Sequence, residues 1–395
     1  MLRALEILLV REKMSSFTEY APLRRVILGS VEDYKPACWG WKSDPGVNIE
    51  SFARARDICD SAVPNRILEE VSEDLAEYQK TLESVGVSVI RPPRMPQEPV
   101  FETEHFYSYG RDVYNMRDLH IVLGKKLVSC APSQPNRILE IIELREFLRG
   151  VSKELGLELV SCPESKLKKN PLYSNIRNSF GDLVSAEDSK APTLGSVTQE
   201  IWHRLTEDEI LFDAANIIRY GGNALFLVSS TGNLKAFDWL NSIDVEFELH
   251  KTDVYRSSHI DSTILPLGRD TFLVNSIRVN PMNLPDSLKN SRVLYFDDVA
   301  RIPESETKFH VEHRAVAGSK IEMLGLHTNL LDMSSPWAGL NVLSVNEETV
   351  MVESNQVALI RFLEINGFVV IPIRMRHTYT MLGGLHCTTL DLIRV

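Results

Sequence analysis

Four segments of the chain repeat one pattern, and this repetition restricts the fold more than any other feature of the sequence. In each segment a polar residue opens a short apolar strand, a tight turn follows, and a second strand runs back. The segments are RDLHIVLGKKLVSC (117–130), DAANIIRYGGNALFLVSS (213–230), HIDSTILPLGRDTFLVNS (259–276) and LNVLSVNEETVMVES (340–354). Alternating β-branched residues on either side of such turns predict β-hairpins. We therefore expect a repeated unit that begins with a hairpin rather than one open sheet with a nucleotide-binding fingerprint.

Helical patterns accompany these hairpins. Apolar residues spaced by three and four predict a helix over 68–85 that ends at Gly86, and two further helices that end at Gly150 and Gly367. The short strands VSVIR and FVVIPIR follow the first and the last of these helices. The chain is therefore expected to repeat a ββαβ unit, and repetition at irregular spacing favours a closed, pseudo-symmetric single domain.

Three stretches of the sequence do not fit the repeated ββαβ unit. The polar residues 164–207 and 286–328 are predicted to be insertions that cover or shape a site. Residues 1–17 are predicted to form a frayed leader, which leaves 18–395 as one domain. The apolar run of that leader is short and is followed at once by charged residues, which argues against a signal peptide.

The charge and the cysteine pattern restrict the partners and the compartment. The 395 residues carry a formal net charge of −11, and no basic block is larger than KLKK at 166–169, which argues against nucleic acids and anionic membranes as partners. Five scattered cysteines without a CxxC pair suit a reducing cytoplasm. No apolar stretch approaches the length of a membrane span.

Side chains capable of acid–base chemistry recur where the hairpins begin. They are Asp118, Asp213, His259 and Asp261, and the final predicted strand adds Cys387 within MLGGLHCTTLDLIRV. Equivalent positions of a closed repeat face one another, so these side chains are expected to line one central cavity. The two glycines before the cysteine are expected to leave room for a substrate beside the backbone. His386 is expected to be structural because neighbouring strand residues point to opposite faces.

This combination of side chains suits guanidino chemistry. Paired carboxylates hold a planar guanidinium through charge-assisted hydrogen bonds, and a thiol beside such a cation has its pKa lowered. Attack of the thiolate on the guanidine carbon gives a covalent amidino-thioether. His259 is the side chain suited to protonate the leaving amine and then to deprotonate the incoming nucleophile.

Five motifs together resemble one family. FDAANIIR, SSHIDST, MRDLHIVLG, DMSSPWAGLNVL and MLGGLHCTTLDLIRV are similar to motifs of the arginine amidinotransferases, of which glycine amidinotransferase is the best-known member. The resemblance extends in order from about Thr18 to Val395. It implies the pentein fold of the guanidino-group modifying superfamily, a five-bladed α/β propeller of pseudo-symmetric ββαβ units. Other members act in the streptomycin, cylindrospermopsin and saxitoxin pathways.

The resemblance also implies catalytic roles for individual residues. Cys387 matches the nucleophile of the family's GGxHC motif, and His259 and Asp213 match the other members of its catalytic triad. Asp118 and Asp261 match the carboxylates that bind the guanidinium. The implied reaction is a ping-pong transfer of the amidino group from L-arginine to a primary amine, with release of L-ornithine. No metal or organic cofactor is implied.

A second group of residues matches those that bind the amino-acid end of the donor. Arg278 matches the arginine that binds the donor carboxylate, and Ser334 and Ser335 match the serine pair that contacts the carboxylate and the amino group. Relatives are often dimers, so a homodimer is expected.

The loop before the catalytic histidine departs from that of the glycine-using members. It reads VYRSS (254–258), where those members have a loop of the Asn-Pro-Met type. Arg256 and Ser258 are therefore candidates for acceptor specificity. A bulkier or differently charged amine of specialised metabolism is favoured over glycine as the acceptor.

Two other functions stay open at the level of the sequence. An arginine or guanidine deiminase would use water on the same intermediate, although Asp391 and Arg394 in the tail HCTTLDLIR favour transfer. A non-catalytic pentein that binds partner proteins is disfavoured by the intact set of Cys, His and Asp.

Other polar side chains have simpler explanations. His310 and His313 have a spacing that can bind metal, but no third and fourth ligand stands nearby, so a solvated turn or helix face is favoured. Arg111 and Asp112 have two equally good explanations: they are solvent-exposed loop residues, or they support the site from a neighbouring position. The cysteines without evident charged partners are taken as inert: Cys38, Cys59, Cys130 and Cys162.

Overall fold

The computed structural model describes residues 15–95, 97–177, 183–184, 201–255 and 257–395. The strands are β1 (Leu23–Leu28), β2 (Lys35–Trp41), β3 (Ser88–Ile90), β4 (Val100–Glu102), β5 (Phe106–Arg111), β6 (His120–Leu123), β7 (Lys126–Ser129), β8 (Glu158–Ser161), β9 (Leu172–Arg177), β10 (Leu183–Val184), β11 (Ile201–Leu205), β12 (Ile217–Tyr220), β13 (Asn223–Leu227), β14 (Glu248–Thr252), β15 (Ile264–Gly268), β16 (Thr271–Asn275), β17 (Arg292–Phe296), β18 (His327–Thr328), β19 (Leu343–Ser344), β20 (Thr349–Glu353), β21 (Val369–Ile373) and β22 (Thr389–Arg394). The helices are α1 (Ile49–Ala62), α2 (Asn65–Ser84), α3 (Met116–Leu119), α4 (Pro135–Leu155), α5 (Leu234–Ser242), α6 (Glu304–Phe309), α7 (Ala315–Glu322) and α8 (Val357–Ile365).

Five sheets of the described chain share one topology. In each sheet two strands form an antiparallel pair and the third strand runs parallel to the middle one. Four of them follow the chain order, as β6–β7–β8, β12–β13–β14, β15–β16–β17 and β19–β20–β21. All four predicted hairpins are therefore present, and they belong to equivalent sheets.

The fifth sheet joins segments from distant parts of the sequence. Strand β22 pairs antiparallel with β1, and β1 pairs in parallel with β3. The last strand therefore occupies the place that the first hairpin strand has in the other four sheets. Five equivalent sheets agree with the predicted repeat, and their closure into a five-bladed propeller stays a prediction.

Two further sheets add to this framework. One has the order β18–β2–β5–β4, and the other has the order β10–β9–β11 and lies within the predicted insertion 164–207. The second predicted insertion, 286–328, is wrong in part because it contains β17, the third strand of a repeated sheet. The alternating apolar residues of β17 are too few to stand out within a polar stretch.

Glycines mark the ends of three helices, but one end differs from the prediction. Gly86 and Gly367 follow α2 and α8 with φ values of 85° and 97°. Helix α4, in contrast, continues through Gly150 and stops at Gly156, whose φ is 68°. The predicted end at Gly150 is wrong because buried Val151 and Leu155 hold the following turn against the core, and this packing outweighs the cost of a glycine in a helix.

The predicted leader of residues 1–17 also needs a correction. Residues 1–14 lie outside the described part of the chain, whereas Ser15 and Ser16 are buried. The backbone of Ser16 exchanges two hydrogen bonds of 3.0 Å with Gly124. Its hydroxyl accepts a bond of 2.6 Å from Arg219 Nη1. Residues 15–17 therefore belong to the packed domain. None of the helices in the described ranges has the length and apolarity needed to cross a membrane.

Candidate active site

One cavity of about 430 Å³ lies where the repeated sheets begin. Its wall contains Asp118, Asp213, His259, Asp261 and Cys387. Each of these residues lies a few positions before the first strand of its sheet, in a segment that is not itself part of the strand. The repeated topology therefore brings residues from four distant segments to one place.

His259 is held between two carboxylates. Its Nε2 lies 3.0 Å from Asp213 Oδ2, and its Nδ1 lies 3.7 Å from Asp118 Oδ1. Burial lowers the pKa of His259, but the charge of Asp118 and the hydrogen bond to Asp213 outweigh it and raise the pKa to about 9. The imidazole is therefore protonated at neutral pH in the empty cavity, and it can act as a proton donor.

Asp118 has one oxygen that is bound and one that is free of hydrogen bonds. Arg137 Nη1 donates to Oδ2 at 3.2 Å, whereas Oδ1 is buried and has no hydrogen-bond partner in the described structure. Burial raises the pKa of Asp118 to about 6, although His259 and Arg137 act in the opposite direction. A ligand that donates hydrogen bonds can bind this oxygen.

Asp261 is a carboxylate of the cavity that His386 keeps ionised. His386 Nδ1 lies 3.0 Å from its Oδ2, and His386 Nε2 lies 3.4 Å from Glu19 Oε2. Burial raises the pKa of Asp261, but the hydrogen bond and the charge of His386 dominate and lower it to about 2. His386 therefore contacts protein groups on both sides and keeps Asp261 ionised.

The thiol of Cys387 lies directly beside this carboxylate. Its Sγ is 3.4 Å from Asp261 Oδ2, and the residue is 7% exposed. Burial raises the pKa of the Cys387 thiol well above its usual value, and the charges of Asp261 and Asp118 raise it further. The thiol is thus neutral in the empty cavity. A cation bound between the carboxylates would remove that obstacle to ionisation.

Arg278 stands at the edge of the cavity with its guanidinium held in place. Its Nη1 donates to Thr263 Oγ1 at 2.8 Å, and its Nη2 donates to the Tyr255 hydroxyl at 3.1 Å. The guanidinium also stacks on the Tyr255 ring, 3.7 Å from the ring centroid. Ser335 Oγ lies 3.4 Å from Nη2, and both Ser334 and Ser335 line the cavity. Arg278 can therefore bind the carboxylate of a ligand that extends away from Cys387.

The described residues contain no group of three or more His, Cys, Asp and Glu side chains arranged to hold a metal ion. His310 and His313 lie on one turn of π-helix between α6 and α7. That placement agrees with the helix face favoured from the sequence.

Comparison with known proteins identifies the kind of enzyme to which this cavity belongs. No family model matches the chain. The chain is 29% identical over 387 residues to inosamine-phosphate amidinotransferase 1 of Streptomyces griseus, covering 96% of this chain and 97% of that protein. It is 24% identical over 386 residues to the L-arginine:L-lysine amidinotransferase of Pseudomonas savastanoi pv. phaseolicola, with coverage of 96% and 94%. The chain is therefore similar to amidinotransferases over nearly its whole length.

Solved structures agree with this assignment. An inosamine-phosphate amidinotransferase from Streptomyces griseus superposes with a TM-score of 0.73 at 26% identity, over 97% of each chain. An amidinotransferase of the saxitoxin pathway from Microseira wollei gives the same TM-score and identity, over 96% of this chain and 97% of its own. The enzyme therefore has a pentein-type α/β fold, and its relatives support amidino transfer as its general activity.

The cavity of this amidinotransferase contains most of the residues singled out from the sequence. Ser258 lines it, and its carbonyl oxygen accepts a 2.8 Å hydrogen bond from Ser229 Oγ. Arg256 lies outside the described residues. Arg111 and Asp112, for which solvation was one of two explanations, are both buried. Arg111 pairs with Glu143, and Asp112 lines the cavity.

Asn115, Arg137 and Asn341 are among the residues of the cavity wall that the sequence analysis missed. Asn341 stands before β19 as Asp261 stands before β15, so the rule that pointed to Asp261 also applied to it. Arg137 lies in the first turn of α4, and its approach to Asp118 depends on how that helix packs. No local pattern in the sequence signals such a contact.

Proposed function

We propose that the enzyme transfers the amidino group of L-arginine to a primary amine through a covalent intermediate on Cys387. The observation that carries this proposal is the contact of 3.4 Å between Cys387 Sγ and Asp261 Oδ2, in a cavity that also holds the His259–Asp213 pair. A neutral thiol between carboxylates is poorly nucleophilic until a cation arrives. A guanidinium is such a cation, and it also contains the electrophilic carbon.

The donor is expected to lie with its guanidinium between Asp118 and Asp261. The free Oδ1 of Asp118 accepts one N–H group, and Asp261 accepts another on the side of the thiol. The carboxylate of L-arginine then reaches Arg278, and Ser334 and Ser335 contact the carboxylate and the amino group. The polar groups at the two ends are complementary to a ligand that carries a guanidinium and a carboxylate.

The first half-reaction breaks one C–N bond and forms one C–S bond. The bound guanidinium offsets the charges of Asp118 and Asp261, so the Cys387 thiol gives its proton to water and the thiolate attacks the guanidine carbon. The bond from that carbon to the side-chain nitrogen breaks. His259, protonated in the free enzyme, gives its proton to this nitrogen, and L-ornithine leaves.

The second half-reaction returns the enzyme to its starting state. An amine acceptor enters, His259 now takes a proton from it, and its nitrogen attacks the amidino carbon. The C–S bond breaks, the acceptor leaves with the amidino group, and the Cys387 thiolate takes a proton from water to become the neutral thiol again. Ser258, which lies on the cavity wall, and Arg256 are proposed to select this acceptor. The acceptor is proposed to be an amine of specialised metabolism rather than glycine.

Intact-mass measurement of the protein incubated with L-arginine tests the covalent step. The wild type is expected to gain the mass of one amidino group, and Cys387→Ala is expected to gain none. Cys130→Ala is a matched control because Cys130 is a buried cysteine that does not line the cavity, so it should form the adduct as the wild type does. Turnover by a wild type that never forms the adduct would refute the intermediate.

The fate of the adduct separates transfer from hydrolysis. Release of ornithine that depends on an added amine supports transfer, and screening glycine, lysine, inosamines and amino ketones identifies the acceptor. Formation of citrulline and ammonia without an amine would instead show an arginine deiminase. Absence of both adduct and turnover would favour the non-catalytic pentein.

The proposal extends to the assembly and the compartment. The domain predicted over residues 18–395, with residues 15–17 added to it, is proposed to act as a single unit in a cytoplasmic homodimer that requires no metal or organic cofactor. Light scattering after size-exclusion chromatography measures the mass in solution, and a monomer at working concentrations would refute the dimer.

A further inference from the structure

The two glycines before the nucleophile are required by neighbouring asparagines. A Cβ on Gly383 would stand 1.9 Å from Asn115 Oδ1, and a Cβ on Gly384 would stand 2.8 Å from Asn341 Cβ. Both distances are below any normal contact between such atoms. Both glycines line the cavity, so a substrate can lie beside their backbone, but protein atoms fill the space that their side chains would occupy.

Asn341 joins two segments of the site that are far apart in sequence. Its Oδ1 accepts a hydrogen bond of 2.9 Å from the backbone N–H of Cys387, and its Nδ2 donates to the backbone carbonyl of Asp261 at 3.4 Å. Its own carbonyl accepts the N–H of His386 at 3.3 Å. The residue is 4% exposed, so these bonds are shielded from water.

We propose that Asn341 is a positioning residue that fixes the Cys387 thiol relative to the Asp261 carboxylate. The backbone N–H of Cys387 precedes β22 and has no partner in a strand ladder, so the Asn341 carboxamide is the acceptor that holds it, while Arg117 N–H binds the Cys387 carbonyl oxygen at 3.0 Å. A carboxamide carries one acceptor and one donor on the same carbon. It can therefore hold an N–H group of one segment and a C=O group of the other at a fixed separation.

The chemistry of the site makes this separation important. The thiol is neutral beside the ionised carboxylate, and the incoming guanidinium must fit between the two. A shift of about 1 Å between reacting groups costs on the order of 100-fold in rate. All three hydrogen bonds of Asn341 described above are made to protein atoms. Its loss should therefore lower kcat and leave the KM for L-arginine nearly unchanged. This inference rests on the proposed function.

The test compares Asn341→Ala and Asn341→Asp with Asn346→Ala. Asn346 is a matched control because its Oδ1 also accepts two backbone N–H groups, those of Glu348 and Thr349, in a turn that does not line the cavity. Asn341→Ala is expected to lose about 10- to 100-fold in kcat, with KM within about threefold of the wild type. Asn346→Ala is expected to keep both constants even where its thermal unfolding temperature falls.

Asn341→Asp gives a second measurement that does not require turnover. It retains an acceptor for the Cys387 N–H, but it loses the donor to Asp261 and adds a negative charge beside the thiol. The rate of Cys387 alkylation by iodoacetamide, followed against pH without substrate, should reach its midpoint at a higher pH than in the wild type. Cys387→Ala provides the background rate.

The inference is overturned if Asn341→Ala keeps kcat within about twofold of the wild type, or if the alkylation midpoint of Asn341→Asp equals that of the wild type. It is also overturned if kcat falls in both alanine variants in proportion to their loss of stability. Failure of the proposed function has a different signature. In that case wild-type protein forms no adduct with L-arginine, while the alkylation measurement still reports the position of the thiol.

Discussion

Under the proposed function, two residues of the cavity set the pH range in which the enzyme can bind its donor. Burial raises the pKa of Asp118 to about 6, and His259 titrates at about 9 because the charge of Asp118 and the Asp213 hydrogen bond outweigh its burial. Between these values Asp118 is ionised and His259 is protonated. That combination binds a guanidinium and also holds the proton that the leaving amine needs.

We therefore expect kcat/KM for L-arginine to rise as the pH increases through about 6 and to fall above about 9. Below the lower value Asp118 is protonated and loses an acceptor for the guanidinium. Above the higher value His259 has lost its proton. Steady-state kinetics of the wild type and Asp118→Asn measure this, and the residual activity of the variant should lack the acidic limb. An acidic limb that persists unchanged in Asp118→Asn contradicts the assignment.

The candidate catalytic residues were easier to predict from the sequence than the residues proposed to position them. Asp118, Asp213 and Asp261 are ionisable groups at repeated strand starts, so their position and their chemistry indicated the same site. Asn341 has the same kind of position, but an amide does not suggest a role in acid–base chemistry. Its contacts with Cys387 and Asp261 depend on three segments that meet only in the folded protein.

At the scale of single elements, α4 shows how packing overrides a local stop signal. Gly150 and Gly156 both carry the sequence mark of a helix end, and only Gly156 has a left-handed backbone. Gly150 is exposed on the helix, and a Cβ there would meet nothing within 4 Å. The two glycines of one helix therefore have opposite requirements.

We expect Gly150→Ala to raise the free energy of unfolding by about 0.5 to 1 kcal/mol, because alanine restricts the unfolded chain and fits the helix without a clash. Gly156→Ala should lower it by about 1 kcal/mol, since its φ of 68° strains a residue with a Cβ. Denaturant titrations of both variants measure these changes. Equal signs for the two substitutions would contradict this account of the helix end.

The hairpins could be predicted because their signals are local. The strands around 117–130 and 259–276 alternate, and the turns between them carry glycine, so a short window contains all the information needed. The sheet of β22, β1 and β3 could not be predicted in this way. Its central pair joins residues at opposite ends of the sequence, and no local pattern records which strand is the partner.

At the scale of the whole molecule, a buried ion network connects several repeated sheets. Arg219 on β12 donates to Glu19 Oε2 at 2.7 Å and to Asp391 on β22, and its Nη1 also binds the carbonyl oxygen of Val122 on β6. Arg394 donates to the same Asp391 carboxylate at 2.6 Å. The tail residues Asp391 and Arg394 therefore hold the sheets together beneath the cavity.

Removal of one charge from this network should be costly. Asp391→Asn leaves Arg219 and Arg394 with one fewer carboxylate in a buried position, so we expect a loss of about 3 to 5 kcal/mol in the free energy of unfolding. Glu158→Gln is the control, because Glu158 is exposed and its pair with Lys126 should contribute less than about 1 kcal/mol. Chemical denaturation measures both. A loss below about 1 kcal/mol for Asp391→Asn would show that the network contributes little.

The pairing of β22 with β1 has a consequence for the order of events during synthesis. The early strand β1 leaves the ribosome long before its neighbour exists, so the sheet has a vacant edge until residues 389–394 emerge. Cys387 enters the cavity with that same strand. A growing chain can therefore bring its carboxylates together, but Cys387 does not reach the cavity until β22 pairs with β1. Under the proposed function, the chain would react with a guanidino compound only after β22 has paired with β1.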